Sequence, residues 1–382
     1  MISVTDKYKK IVANRRHASR WSISVDGKEI PSYRVKAFPA LTMALYTDAL
    51  SFGNAVSSCL ELTYLPYESP PRGADVRISV TVCEDDSFTE AKSERCALGP
   101  WMINSRSTDK HGWMTVQCYD DIARLDKYTV RQAAKKTEYA LTYPVSVSQI
   151  IDLMEALTNV AFDSYSRSLL SDVVGLTKEE TKELKLREAL GYAALQNGVN
   201  IVYEGGFRAK ACQEGQFDAF YIDTQDNNVG GEQLVDHDGE PIVFMDWTNA
   251  RQTIRPEWAG DVRILGEYGP ISAVKVTGKD SDDANNEWTA DYDLFDGTTL
   301  EVNYPLDNAG SDVAYAILDK VERFTYTGWS ASSVLFDPTI EAGDTLMVNG
   351  KPCIVAEIKA TLGPAYIADC GAAANYEIKG EI

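Results

Sequence analysis

Carboxylates are the most numerous side chains in this sequence that could do chemistry. Asp and Glu together number 57 in 382 residues. Glu341 and Asp344 are three positions apart, and a pair of carboxylates is what a glycoside hydrolase uses to cleave a sugar bond. Their segment, DPTIEAGD, is also typical of a turn before a strand, where short acidic side chains accept hydrogen bonds from backbone amides. We therefore predict a structural role for both acids and no catalytic residues in the chain.

Two acidic loops could offer oxygen ligands to calcium. One carries Asp280, Asp282 and Asp283, and it lacks the glycine that the EF-hand pattern requires. The other is Asp236-His237-Asp238-Gly239, which is short of a full ligand set. We predict solvated loops at both places, with no metal site and no cofactor, and calcium binding by the loops stays an open question.

The cysteines and histidines stand alone in the sequence. No CxxC pair occurs and no two histidines lie close together, which argues against a zinc site and against a disulfide framework. The GxSxG, HExxH, P-loop and dinucleotide-binding GxGxxG patterns are absent as well. We predict solvated or structural histidines and reduced, mostly buried thiols, at His17, His111, His237, Cys59, Cys83, Cys96, Cys118, Cys212, Cys353 and Cys370.

The balance of charge restricts the partners of the protein. Lys and Arg number 37, so the formal net charge is −20, and such a chain is poorly suited to binding nucleic acid by neutralising phosphates. An acidic surface serves solubility, and it would also let DNA pass along a wall without sticking. No run of about 18 apolar residues occurs. The N-terminus lacks the apolar core of a signal peptide, so neither a membrane span nor secretion is predicted.

Alternating apolar residues predict antiparallel β structure in the first third of the chain. Trp21, Ile23 and Val25 alternate up to Asp26-Gly27, a dipeptide that forms tight hairpins. Further alternating runs follow with no long helix between them, at 60–64, 76–82 and 112–119. Five or six such strands are typical of a small antiparallel barrel or sandwich.

Apolar residues at helical spacing predict three helices in the first 200 residues. The first begins at Thr5 and is short, so we predict a docking arm outside the core. The second covers 150–160 and is entered through Ser146 or Ser148. The third runs without a break from Thr177 to Asn197, with Glu180 as the capping-box partner of Thr177.

Strands are predicted again after the third helix. One hairpin covers 199–211, and a second pair of strands lies within 260–277 around a Gly-Pro turn. In the C-terminal part, a strand ending at Tyr304 leads to a helix over 311–321 and then to a strand from Phe324. Asn349-Gly350 predicts the last hairpin, with Leu346 and Val348 before it and a return through Ile354, 355–358 and Leu362.

Several of these strings, taken in order, resemble phage tail hub proteins. These are the baseplate hubs of contractile tails and the N-terminal hub region of tail-associated proteins in long non-contractile tails. The resemblance covers most of the chain but is weak between about 213 and 260. The matching strings are Tyr8-Lys9, Val25-Asp26-Gly27, Ser51-Phe52-Gly53, 60–63, 112–120, Arg187-Glu188-Ala189-Leu190 with Ala194 and Gly198, Tyr304-Pro305-Leu306, 318–326 and DPTIEAGD at 337–344.

The resemblance implies a mainly β fold with α+β modules, namely two tail-tube-like antiparallel β-barrels plus smaller α/β domains. It predicts four parts of the chain. These are an N-terminal helix with the first barrel (1–135), a helical module with a helix-hairpin (136–215), a loop-rich β region with part of the second barrel and an insertion (216–300), and a strand-helix-strand unit with the closing hairpins (301–382).

The resemblance also implies a function and partners. The chain would be a structural virion protein and not an enzyme, forming a homotrimeric ring with an acidic lumen that passes DNA or tape-measure protein. The ring would join the tail tube or distal tail protein above to the spike or tip protein below, beside baseplate wedge proteins. It would fold in the host bacterial cytoplasm, without a membrane or specific nucleic-acid binding. The residues alone leave two other classes open, a cell-surface or carbohydrate-binding β-sandwich module and a peptidoglycan or carbohydrate hydrolase.

Overall fold

The computed structural model describes most of the chain. The described residues are 4–13, 17–46, 51–170, 175–203, 205–211, 253–254, 259–279, 285–335, 337–349, 351–363, 367–372 and 379–380. Both predicted acidic loops, Cys212 and His237 lie outside these residues.

Strands dominate the described residues, and the helices are short. The helices are α1 (Asp6–Ala13), α2 (Ile122–Leu125), α3 (Val130–Thr137), α4 (Val147–Thr158), α5 (Ser164–Leu169), α6 (Glu180–Glu183), α7 (Leu186–Gln196) and α8 (Ser311–Val321), with a 3₁₀ turn at Ser32–Arg34. The strands are β1 (Ala18–Val25), β2 (Lys28–Ile30), β3 (Ala40–Ala44), β4 (Cys59–Tyr64), β5 (Asp75–Cys83), β6 (Ser93–Thr108), β7 (Met114–Tyr119), β8 (Val199–Tyr203), β9 (Phe207–Ala211), β10 (Thr253–Ile254), β11 (Asp261–Tyr268), β12 (Ile271–Lys279), β13 (Asn285–Asp291), β14 (Thr298–Asn303), β15 (Tyr326–Leu335), β16 (Thr345–Val348), β17 (Lys351–Ile354), β18 (Glu357–Thr361), β19 (Ile367–Ala372) and β20 (Lys379–Gly380).

One large antiparallel sheet joins the two ends of the chain. Its strand order is β11-β15-β19-β18-β3-β4-β7-β6-β5-β1-β2. The link between the N-terminal and C-terminal strands is the β3–β18 ladder, in which Thr42 lies opposite Lys359. The predicted strands from 18 to 119 are confirmed. Sequence reasoning missed β3 and the long β6, whose apolar residues alternate less regularly than those of β5.

The N-terminal strands curl around a shared apolar interior. Val35, just beyond β2, forms an antiparallel bridge with Tyr64 at the end of β4. The Lys36 amide donates to the Thr63 carbonyl, and the Leu65 amide donates to the Arg34 carbonyl, at 2.9 and 2.7 Å. These bonds draw the β2 end of the sheet towards β4, so apolar residues on one face of these strands become buried, including Ile23, Val25, Leu62, Tyr64, Val76, Ile78 and Val116.

Three smaller sheets complete the described strands. One has the order β13-β12-β14-β20, one the order β10-β16-β17, and one is the β8–β9 hairpin. The predicted hairpins at 199–211 and around Asn349-Gly350 are confirmed by the β8–β9 and β16–β17 ladders. The predicted return of the second hairpin through Leu362 is wrong beyond Ile354, because 357–361 forms β18 and pairs with β3 and β19 in the large sheet. Helix α8 packs on the β12 and β13 side of the four-stranded sheet and buries Val313, Ile317 and Val321.

Helix α4 begins where its sequence predicts. Ser146 accepts a hydrogen bond from the Gln149 amide, and the Gln149 side chain accepts one from the Ser146 amide, which is a complete capping box. Asn159 ends the helix in the left-handed region, with φ of 59°. The buried face of the helix includes Ile150 and Met154, as the helical spacing indicates.

The sequence predicted one helix over 177–197, but this stretch forms two helices, α6 and α7. Thr177 and Glu180 do form the predicted capping box, but Leu184 is extended, with φ of −66° and ψ of 132°. The Leu184 carbonyl accepts from the Val130 amide, and the Leu186 amide donates to the Tyr128 carbonyl, both at 3.0 Å. The Leu184 carbonyl and the Leu186 amide therefore bond to the chain at and just before the start of α3, and they are not available for the hydrogen bonds of a continuous helix.

The strands predicted within 260–277 exist, but they do not pair with each other. β11 pairs with β15, whereas β12 pairs with β13 and β14 in another sheet. Gly269 lies at the crossing point, with φ of +96°, and a Cβ there would be 2.3 Å from the Phe324 carbonyl oxygen. The close backbone approach at this glycine sends the chain from one sheet into the next instead of back along the first.

Helix α1 belongs to the core, contrary to the predicted docking arm. Tyr8 and Ile11 are both 1% exposed and are part of the main cluster of buried residues. The Tyr8 hydroxyl also donates to Asp337, which is 329 positions away in sequence. Length alone is therefore a poor guide, because two buried apolar side chains are enough to anchor a helix of eight residues whose charged face stays exposed.

The predicted fold class is confirmed as mainly β, with large antiparallel sheets and several helices. Among the described residues, the ladders of the large sheet run from β11 to β2 without a pair that joins these two strands. The division into two tube-like barrels and the four domain borders therefore stay predictions.

Candidate functional site

The two acids of the predicted turn lie inside the protein. Glu341 is 7% exposed and Asp344 is 4% exposed. The Asp344 carboxylate accepts a hydrogen bond from the Glu341 amide at 3.0 Å, which is the local backbone bond that the sequence predicted. The Gly343 amide and the Asp344 carbonyl also pair with Val355, which ties the turn to the chain after β17.

Two long-range partners hold the acidic turn in place. The Lys210 ammonium lies 2.9 Å from Asp344 Oδ1, and the Lys210 and Asp344 side chains are 12% and 2% exposed. At the other end of the turn, Asp337 accepts hydrogen bonds from the Thr339 amide and hydroxyl and from Tyr8. The turn therefore joins α1, β9 and the C-terminal strands, and Asp344 has a stabilising salt bridge.

The Glu341 side chain lies beside two small cavities. The larger, of about 90 Å³, is also lined by Ser58, Trp101 and Tyr203. The smaller, of about 20 Å³, lies between Glu341 and Asp120. One buried water needs about 10–15 Å³ of such volume, so the two cavities have room for a few waters. The structure thus brings together two acids, Asp120 and Glu341, that the sequence did not associate, in a space much smaller than a sugar-binding cleft.

Asp120 is the centre of a buried polar network. It is 2% exposed, and its carboxylate accepts hydrogen bonds from the Ser57 and Ser58 hydroxyls and from the Ser58 and Ile122 amides, at 2.7 to 3.0 Å. The Trp101 indole donates to the Ser58 hydroxyl at 2.9 Å. This network joins the loop before β4 to β6 and to the end of β7.

Neighbouring groups extend this network to the helical part of the fold. Asp121 accepts from the Tyr203 hydroxyl at 2.8 Å and from Arg124 at 2.7 Å. The Arg124 guanidinium also donates to the Leu157 and Thr158 carbonyls at the end of α4. Burial beside these acids raises the pKa of Tyr203 above its ordinary value. The arrangement is that of a structural joint, because its long-range bonds connect the segment after β7 to the loop before β4, to β8 and to the end of α4.

The ionisation of Asp120 is expected to make stability depend on pH. Burial raises its pKa to about 6, while the four donors favour the charged form. In the unfolded chain an aspartate has a pKa of about 3.9, so the folded state binds the proton more tightly. The stabilising contribution is full below pH of about 4 and is lost as the pH rises through about 6.

Asp120→Asn removes this titration and allows a test. Relative to the variant, the unaltered protein is expected to lose about 1 kcal/mol of unfolding free energy between pH 5 and pH 7. Urea denaturation of both proteins at several pH values measures the difference. The amide group of asparagine faces the same donors, so we also expect a pH-independent difference in unfolding free energy between the two proteins. If the difference did not vary with pH at all, the prediction would be contradicted.

The other residues considered from the sequence are placed as follows. Cys83, Cys96, Cys118, Cys353 and Cys370 are buried free thiols and Cys59 is partly buried, as predicted. Burial raises the pKa of Cys118, Cys353 and Cys370 to about 12, so these thiols stay protonated at neutral pH. In the part of the chain that the structure describes, no group of three or more His, Cys, Asp or Glu side chains could hold a metal ion.

An exposed strand edge is the clearest surface feature of the large sheet. β11 is the outermost strand, and among the described residues it pairs with β15 alone. Ile264 and Leu265 on this strand are 36% and 37% exposed. Leu335 on β15 and Ile367 on β19 lie opposite each other and are 49% and 44% exposed. A long edge strand with exposed apolar side chains is a surface on which another chain can pair.

No protein-family model and no curated protein sequence matches the chain. Among solved structures, it is similar to the prophage tail protein gp18 from Listeria monocytogenes, with a TM-score of 0.48 and 11% identity over 93% of this chain and 95% of that one. It is also similar to a chain of the lidded Francisella PdpA-VgrG complex, with a TM-score of 0.45 and 10% identity over 96% of this chain and 54% of that one. The similar chains come from a prophage tail and a VgrG complex. At these TM-scores the likeness assigns no role to any residue.

The described helices include none long and apolar enough to cross a membrane. Sequence reasoning missed one interior feature, the Asp120 network, and one surface feature, the β11 edge. Asp120 belongs to a matched string but had no predicted role, and β11 was assigned to the wrong partner. The one available signal was the Asp120-Asp121 pair directly after an alternating strand, since charged residues that follow a buried strand often satisfy neighbouring backbone amides.

Proposed function

We propose that this protein is a structural component of a phage or phage-like tail, the central hub of its baseplate or tip. Three copies form a ring that joins the tail tube to the spike or tip protein and lets DNA or tape-measure protein pass. The proposal rests on the ordered strings that resemble tail hubs, and the observation that carries it is the exposed β11 edge of the large sheet.

The β11 edge has the properties of a subunit interface. It is eight residues long, and Ile264 and Leu265 add apolar area to the unpaired backbone groups of an edge. A closed ring of identical subunits needs two different surfaces on each copy. In our proposal β11 is one of them, and the neighbouring copy supplies the other from the β2 end of the same sheet.

The charge of the chain suits a passage for DNA. With a net charge of −20 on each copy, a ring of three carries strong negative charge, and a negative wall repels phosphates. Subunits of like charge also repel one another, so the ring needs a local apolar contact such as the β11 edge. We therefore expect ring formation to be favoured by salt, which screens the repulsion between subunits and does not weaken apolar contact.

The test is the mass and shape of the assembled protein. We expect a complex with three times the 42.2 kDa of one chain by native mass spectrometry, and rings by negative-stain imaging. The double variant Ile264→Lys/Leu265→Lys places two charges on the edge and is expected to weaken association by about 100-fold or more, because apolar contact is replaced by buried, unpaired charge. Both side chains are partly exposed in one copy, so the fold itself should be preserved.

A matched control changes charge without touching the edge. Tyr143→Lys/Tyr165→Lys adds the same two charges at side chains that are 42% and 58% exposed, before α4 and on α5, away from both β11 and β2. This variant should form rings like the unaltered protein. The proposal is wrong if the unaltered chain remains a single copy at all salt and protein concentrations, or if it binds and cleaves peptidoglycan oligosaccharides.

A further inference from the structure

A second exposed apolar surface lies away from β11, on the four-stranded sheet. Tyr292 and Leu294 follow β13 and are 41% and 63% exposed, and Tyr315 on α8 is 38% exposed. The Tyr292 and Tyr315 rings are 5.5 Å apart. We call these three residues, with Phe295, the α8 patch.

The loop after β13 runs alongside helix α8. Tyr292 contacts Tyr315 and donates a hydrogen bond to Asp319, in the middle and second half of the helix. Phe295 lies 5.5 Å from the guanidinium of Arg323, just beyond the end of the helix. Leu294 lies between these two contact points in sequence and is 63% exposed, so it adds apolar area to the same loop.

The exposed face of α8 is acidic. Asp312, Tyr315, Asp319 and Glu322 fall within about 80° of arc on a helix with 100° per residue, so they form one stripe. The loop adds three more carboxylates at its surface, those of Asp291, Asp293 and Asp296. Six carboxylates thus lie on the two segments that carry the patch, whereas the cations on the same segments are Lys320 and Arg323.

The combination of exposed aromatic area and a negative rim selects the kind of partner. Tyrosine and other large side chains are enriched where proteins bind one another, and a polar rim around them sets charge specificity. A second copy of this chain, with a net charge of −20, is a poor match for an acidic rim. Cationic side chains can also stack on tyrosine rings, which strengthens binding beyond simple charge attraction.

We propose that the α8 patch binds a segment of a partner protein in which Lys or Arg side chains alternate with apolar ones. The apolar side chains contact Tyr292, Leu294 and Tyr315, and the cations pair with the surrounding carboxylates. This inference stands independently of the proposed ring, because no residue of the patch lies on β11, β15 or β19.

The test uses three labelled peptides and fluorescence anisotropy. One repeats Lys-Leu-Lys-Phe, one repeats Lys-Ser-Lys-Ser, and one repeats Glu-Leu-Glu-Phe. We expect the first to bind at least about tenfold more tightly than the second, since apolar contact adds to charge, and no binding of the third. Tyr292→Ser/Leu294→Ser/Tyr315→Ser should weaken binding of the first peptide about tenfold and leave the second unchanged. Hydrogen exchange should show protection of 289–295 and 311–323 by the first peptide.

Matched variants separate the patch from the general charge of the protein. Asp312→Asn/Asp319→Asn/Glu322→Gln should weaken both basic peptides and reduce the salt dependence of binding. Glu84→Gln/Asp86→Asn/Glu90→Gln removes the same charge from exposed sites elsewhere and should change affinity less than about twofold. Circular dichroism checks that every variant is folded. The proposal is overturned if the two charge variants act equally, or if the serine variant instead changes the mass of the protein without peptide, which would make the patch a contact between copies.

Discussion

Replacing Lys210 with methionine is expected to lower the free energy of unfolding by about 3–5 kcal/mol. The Asp344 carboxylate is 2% exposed and has the Lys210 ammonium at 2.9 Å. Methionine keeps the apolar stem that packs against Gly343, so the change removes the charge and little of the packing. What remains is a buried carboxylate without its cation, which is costly in a medium of low dielectric constant.

A double-variant cycle distinguishes this cause from loss of packing. Asp344→Asn keeps an oxygen that can accept from the Glu341 amide, and it removes the charge that Lys210 neutralises. The double variant Lys210→Met/Asp344→Asn should therefore be more stable than Lys210→Met alone, by about 1–3 kcal/mol in denaturant titrations. If the two substitutions were simply additive, the salt bridge would not be the source of the stability.

Trp329→Ala is expected to cost about 3–5 kcal/mol of unfolding free energy. The side chain is fully buried, and its indole N–H donates to the Ile354 carbonyl at 2.7 Å. This bond links β15 of the large sheet to the end of β17 in the three-stranded sheet, which lies against it. Alanine leaves a large cavity and also an unpaired carbonyl, so both the packing and the hydrogen bond are lost.

Trp329→Phe divides the effect into its two parts. Phenylalanine retains much of the ring volume but has no donor for the Ile354 carbonyl. We expect this variant to lose about 1–3 kcal/mol, clearly less than alanine. Guanidinium titrations followed by circular dichroism measure both variants, and equal losses would show that the hydrogen bond, and not cavity formation, dominates.

Local sequence patterns predicted most elements of the fold. Asp26-Gly27 and Asn349-Gly350 placed two hairpins, and Ser146 placed the start of α4. Each of these signals acts within a few residues, through backbone angles near φ of +50° or through a side chain that caps a nearby amide. The alternating runs predicted the β structure of the first third, and the resemblance to tail hubs implied the mainly β class of the whole chain.

These local patterns could not predict which residues distant in the chain pair with one another. The third predicted helix broke at Leu184 because the chain before α3 offered its backbone groups competing bonds. The strands around Gly269 had the predicted lengths, but they entered different sheets since the glycine allows the backbone to approach Phe324. The candidate site also depends on long-range packing, because Asp120 and Glu341 line the same cavity only when β4, β7 and the acidic turn are packed together.

The sequence by itself therefore determined the strand-rich class, the hairpins, the helix starts, the acidic charge and the isolation of its cysteines and histidines. These properties depend on residue type and on neighbours within one or two turns of chain. Only the tertiary structure decided which strand lies at the edge, which acids are buried and where α8 meets the loop after β13. Those outcomes depend on contacts between residues far apart in sequence, and their free energies come from packing and desolvation that no local pattern contains.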